Sequence, residues 1–170
     1  MCGGHVPPAT ASFRARYPRL PEEYLDFLGH VEVCGDAAQN AWFLCETDYN
    51  ADGRDDTSFR WNEWERIGLE AAEGDAEMIE DIRRLWNLHL PIMSAVHSDY
   101  AYLAISLDPA NYGAIVYGYA PEFEATPTRV CGSFDEFLGV FRRYVLGEAA
   151  VQYQGAAGEL LTRREFWDFM

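Results

Sequence analysis

Lysine is absent from this chain of 170 residues: all 13 of its basic side chains are arginine, set against 28 acids, for a formal net charge of −15. Binding nucleic acid through phosphate contacts requires basic patches, and this balance argues against it. An acidic protein is suited instead to a basic partner, whose approach its field accelerates, although acidity also serves plain solubility. Long apolar runs are missing too; none approaches the roughly 20 residues needed to span a bilayer. The opening segment Met1-Cys-Gly-Gly-His-Val-Pro-Pro lacks the charged and apolar blocks of a secretion signal, so the expected compartment is the cytoplasm. Cysteine is sparse, and Cys2, Cys34, Cys45 and Cys131 form no CxxC pair, which fits free thiols in a reducing compartment. Cys2 and His5 have ligand-like spacing but no second pair, short of the four ligands of a structural zinc site. No glycine-rich phosphate loop, nucleophile elbow or HExxH helix is present.

What is present suffices for a core. Apolar residues make up 49% and aromatics 15%, so one domain can bury roughly two-thirds of its unfolded surface. Residues 1–16 read as a flexible N-terminal arm and 17–170 as a single domain, with a core over 18–147 and an extension over 148–170. Leu20-Pro-Glu-Glu-Tyr-Leu-Asp-Phe-Leu28 opens a helix, with proline in the first turn and two glutamates at its positive end. Tyr24, Phe27, Leu28 and Val31 make its core stripe. Ala41–Glu46 reads as a short strand. Trp61–Gly68 has a helical pattern, and Asp75 caps a second helix running to about Asn87, with Met78, Ile79, Ile82, Leu85 and Trp86 on its apolar side and an expected Glu80–Arg84 pair. Pro91 precedes another short strand, Ile92–Val96.

From Tyr100 to Gly147 the pattern is strand, turn, strand, linker and capped helix. Tyr100–Leu107 and Tyr112–Tyr119 carry β-branched and aromatic residues, and the Asp108-Pro-Ala-Asn111 turn between them makes the pair antiparallel. Ser133 and Glu136 have capping-box spacing, Phe134, Phe137, Leu138, Phe141 and Val145 share a helical face, and Gly147 ends the run. Thr162–Met170 carries a second such box. The fold class that follows is α+β: a central, mostly antiparallel sheet flanked by helices.

The order of these motifs resembles the SUKH superfamily, which includes the fungal cell-wall synthesis regulator domain and many bacterial immunity proteins. The resemblance is carried by Leu20–Leu28, Tyr102-Leu-Ala-Ile-Ser-Leu-Asp108, Gly113-Ala-Ile-Val-Tyr117 and Ser133-Phe-Asp-Glu-Phe-Leu138, and covers about residues 18 to 147. It implies a SUKH-like α+β domain that works by binding and performs no catalysis; bacterial members commonly neutralise a cognate toxin by direct contact. Val96-His-Ser-Asp99 stands where family members usually have a glycine-rich step, and residues 47–90 are longer and more acidic than the family minimum.

That acidic stretch is the candidate partner-binding region. Residues 46–81 hold thirteen acids against Arg54, Arg60 and Arg66, a local −10 within the total of −15. Asp48, Asp52, Asp55, Asp56, Glu63, Glu70 and Glu73 are the expected contacts. Trp61 and Trp64, three apart on the expected helix, either face the core or supply an interface anchor. Asp48, Asn50, Asp52 and Asp56 also match the first half of a calcium loop, with Gly53 at its turn, but the twelfth position is Phe59 rather than a bidentate glutamate. A solvated acidic turn is the simpler reading. His97-Ser98-Asp99 has the residue types of a hydrolase triad, yet neighbouring strand residues point to opposite faces and cannot relay a proton.

The resulting expectation is an immunity protein, no enzyme and with no cofactor, that neutralises a basic toxin such as a nuclease. The alternatives are a regulatory scaffold module binding cellular proteins and a cation-dependent binder using the Asp48–Asp56 loop.

Overall fold

The computed structural model describes residues 11–50, 60–96, 100–119 and 126–147. In chain order the elements are α1 (Ala11–Arg16), α2 (Glu22–His30), β1 (Ala41–Phe43), α3 (Glu46–Asn50), α4 (Glu63–Ala71), α5 (Ala76–Leu88), β2 (His89–Ala95), β3 (Ala101–Ser106), β4 (Ile115–Tyr119), β5 (Thr128–Cys131) and α6 (Phe134–Val145). The five strands pair antiparallel in the order β1-β2-β3-β4-β5, so the α+β class expected from the sequence is present.

Side-chain alternation along β3 divides the core in two. Ala101, Leu103 and Ile105 join Tyr24 and Leu28 of α2 and Phe134, Phe137 and Val140 of α6 on one face. Tyr102 and Ala104 join Trp64, Ile82 and Trp86 of α4 and α5 on the other. With helices on both sides, β2 and β3 are buried throughout, which is why they read as near-continuous apolar runs. On the second face the Tyr102 ring lies across Gly118, where any Cβ would overlap its Cζ and Oη; the glycine is required by that approach.

The two predicted caps that fall on described residues form. Asp75 accepts the N–H groups of Glu77 and Met78, each at 3.1 Å, and Ser133 accepts that of Glu136 at 3.2 Å. Glu136 reaches back one residue further than expected, to Gly132 N–H at 2.6 Å. In the β3–β4 turn, Asp108 accepts the Ala110 N–H at 2.8 Å and Ser106 Oγ donates to Asn111 at 2.6 Å.

Several sequence expectations are corrected. Residues 11–16 of the expected flexible arm form α1, because Phe13 and the following Tyr17 have a buried site among Tyr49 and Trp61. Strand β2 starts at His89 and contains Pro91; a register shift between Pro91 and Met93 absorbs the missing N–H. The expected linker after residue 125 includes β5, a short edge strand paired to β4. Strand β1 stops at Phe43, and α3 begins three residues later at Glu46. On α5, Arg84 pairs with Asp81, three residues back, in place of Glu80, and Met78 is exposed. On α6, Val145 is exposed and Val140 takes the buried position. The Cys2/His5, His97–Asp99 and Thr162–Met170 readings lie outside the described residues.

Candidate functional site

The α4–α5 hairpin covers the second face of the sheet, and its sequence dictates which side chains turn inward. Trp64, Ile82 and Trp86 are each at most 1% exposed, and Trp64 Nε1 donates to Ser94 Oγ on β2 at 3.2 Å. Trp64 is therefore a core residue, and the interface-anchor reading is withdrawn for it: a fully buried indole offers a partner no surface. Trp61 precedes α4 rather than lying on it, and packs edge-on to Phe13 with ring centroids 5.4 Å apart. It is half-buried and belongs with the core too.

One of the expected acidic contacts, with a neighbour two residues on, also turns inward. Glu63, 8% exposed, pairs with Arg66, which bridges it to Glu70. Glu65, a position not among the expected contacts, accepts both guanidinium nitrogens of Arg16 at 2.6 and 2.8 Å while Arg16 Nε donates to Asn87 Oδ1 at 2.8 Å. Burial, the largest single influence, works against the Arg16 charge, but the Glu65 hydrogen bonds together with the charges of Tyr17 and Glu65 outweigh it and raise its pKa. Tyr17 Oη donates to the Trp86 carbonyl at 2.6 Å, so α1 is clasped to the α4–α5 layer at two adjacent points.

The acids that remain on the surface collect around the tip of the hairpin. Glu70 and Glu73 end the α4 side, Gly74 turns the chain at φ 90°, and Asp75, Glu77 and Glu80 begin the α5 side; all five are exposed. Between Arg66 and Arg83 the sequence contains no base. Glu70 and Glu73 thus sit where the sequence suggested, joined by Glu77 and Glu80, which belonged to the acidic count but were not singled out. Their i,i+3 spacing on the face opposite Ile79, Ile82 and Trp86 was the available signal.

Asp48 lies elsewhere. It occupies α3, whose Tyr49 packs into the first core cluster, and its carboxylate turns to the start of that helix to accept Cys45 N–H at 2.7 Å. The first two positions of the calcium-loop pattern, Asp48 and Asn50, are helical, and the Asp48 carboxylate is engaged by the Cys45 N–H. Asp52, Asp55 and Asp56 lie outside the described residues. Among the described residues no group of three or more His, Cys, Asp or Glu side chains is arranged to hold a metal ion, and no helix is long and apolar enough to cross a membrane.

The protein matches no family model, no curated protein and no solved structure.

Proposed function

We propose that this protein is a binding module that neutralises a basic protein toxin by direct contact, in the manner of the SUKH-type immunity proteins its motif order resembles. One observation carries the reading: the α4–α5 hairpin commits its aromatic side to the sheet and leaves Glu70, Glu73, Asp75, Glu77 and Glu80 together at an exposed tip. Such a tip complements arginine- and lysine-rich surfaces, those of a nuclease among them. Its field would speed encounter, while contacts buried on docking would set the lifetime.

Co-expression with the product of the neighbouring gene tests the function, the reading requiring that product to be a growth-arresting toxin. Growth should be rescued by this chain, and rescue should weaken when Glu73, Glu77 and Glu80 are all replaced by arginine. Rescue untouched by that reversal would remove the tip from the mechanism; no rescue by the natural chain would remove the immunity reading.

A further inference from the structure

Between the loop that follows α2, strand β1 and helix α3 lies a pocket of about 270 Å³ whose wall includes Glu32, Asp36 and Asp48, with Trp42 and Phe43 as its aromatic side. None of its described lining residues is basic. The three carboxylates are not equivalent. Asp36 is committed to its own loop, accepting the N–H groups of Ala38, Asn40 and Ala41 at 3.2, 2.6 and 3.0 Å. Asp48 is half-buried with the Cys45 N–H as its donor, and desolvation lifts its carboxyl above the ordinary range despite that bond. Glu32 is exposed at the rim. The neighbouring Cys45 thiol is pushed up to about 11 by burial, and burial raises Cys34 as well, so both are neutral near pH 7 and the carboxylates carry the negative charge of the wall.

We propose that this pocket receives an arginine side chain of the basic partner, its guanidinium meeting the Asp48 and Glu32 carboxylates and the Trp42 ring. The identification of the occupant as part of a protein partner rests on the function proposed above. The choice of occupant follows from the wall. A volume just under the roughly 300–1,000 Å³ that accommodates drug-sized ligands suits a single side chain. Hard cations such as calcium take about six to eight oxygen ligands, and among the described residues no three His, Cys, Asp or Glu side chains are arranged to hold a metal ion. A guanidinium is planar, weakly hydrated and able to stack on an indole while it donates to carboxylates.

The test is heteronuclear NMR titration of the purified full chain with N-acetyl-arginine amide, with the uncharged citrulline isostere as control. Arginine amide should shift the Trp42 indole and the backbone amides of Val33 to Asp36 and of Thr47 and Asp48; citrulline amide should leave them in place. Asp48→Asn retains an oxygen for the Cys45 N–H, so the start of α3 is kept, and affinity for the probe should fall about tenfold. Glu32→Gln, at an exposed position, should weaken it by a smaller factor without touching the fold. Equal shifts with citrulline, unchanged affinity in both variants, shifts confined to the α4–α5 tip, or the same response to millimolar calcium would each overturn the proposal. Because the probe requires no toxin, a chain that takes it yet fails to rescue growth overturns the immunity reading alone. A chain that rescues growth but ignores the probe overturns the pocket alone.

Discussion

The guanidinium of Arg16 grips both carboxylate oxygens of Glu65, at 2.6 and 2.8 Å, across 49 residues of sequence. Their side chains are only 22% and 11% exposed. This paired fork is what fastens α1 to the layer behind the sheet, and a partly desolvated bidentate pair is sensitive to loss of one member. Glu65→Gln should therefore cost about 2 kcal/mol. For a chain of this size that corresponds to a melting temperature lower by roughly 4–8 °C. Thermal unfolding of the single variants and of the Arg16→Met/Glu65→Leu pair would check it. The pair should recover part of the loss, since the uncompensated charge disappears.

A second prediction concerns Gly118 and Tyr102. Gly118→Ala drives a methyl into the tyrosine ring and should destabilise by about 1–3 kcal/mol. Tyr102→Phe has the opposite expectation. Its hydroxyl is buried with no hydrogen-bond partner among the described residues, so removing it should be neutral or stabilising by up to about 1 kcal/mol. The denaturant midpoint of Gly118→Ala should fall while that of Tyr102→Phe holds or rises, and a shared fall would disprove the argument.

Acid sensitivity should trace in part to His89. Its Nδ1 lies 2.8 Å from the Leu85 carbonyl, and burial lowers its pKa below the ordinary 6.5, although that bond and the charge of Asp108 oppose the shift. A base whose folded pKa is depressed binds protons more readily when unfolded. Its contribution is complete above about 6.5 and is lost as pH falls from there toward the folded value. His89→Gln should flatten the stability profile between neutral and mildly acidic pH. An unchanged profile would exclude His89 as a source.

Electrostatic steering makes a kinetic prediction. Reversing Glu73, Glu77 and Glu80 to arginine should slow association with a basic partner by about tenfold or more, with a smaller effect on dissociation. Raising ionic strength should slow the natural chain similarly and the reversed variant little. Stopped-flow fluorescence can measure both, and a salt-independent rate for the natural chain would remove steering from the mechanism.

Local signals were the most legible part of this protein. Asp75 and Ser133 announced their helices because a cap depends on residues two and three positions away, and the 108–111 turn announced a hairpin for the same reason. The acidic excess was legible as a number, but its placement was not. Glu63 and Glu65 look like Glu70 and Glu73 in the sequence, and only burial separates the inward pair from the outward one, since Arg66 pairs with Glu63 and Glu70 alike. Trp64 and Trp61 presented the same ambiguity, which burial resolved toward the core.

The sequence by itself determined which segments become helix or strand in most of the described chain, and that its charge would be strongly negative, because propensity, capping and composition act over a few residues. Tertiary structure decided the rest: that Phe13 and Tyr17 turn the arm's end into a docked helix, that β5 closes the far edge of the sheet, and that Asp48 and the Glu70–Glu80 cluster occupy different elements. Those outcomes depend on pairings between residues tens of positions apart, where a contact becomes favourable only after folding has removed both partners from water.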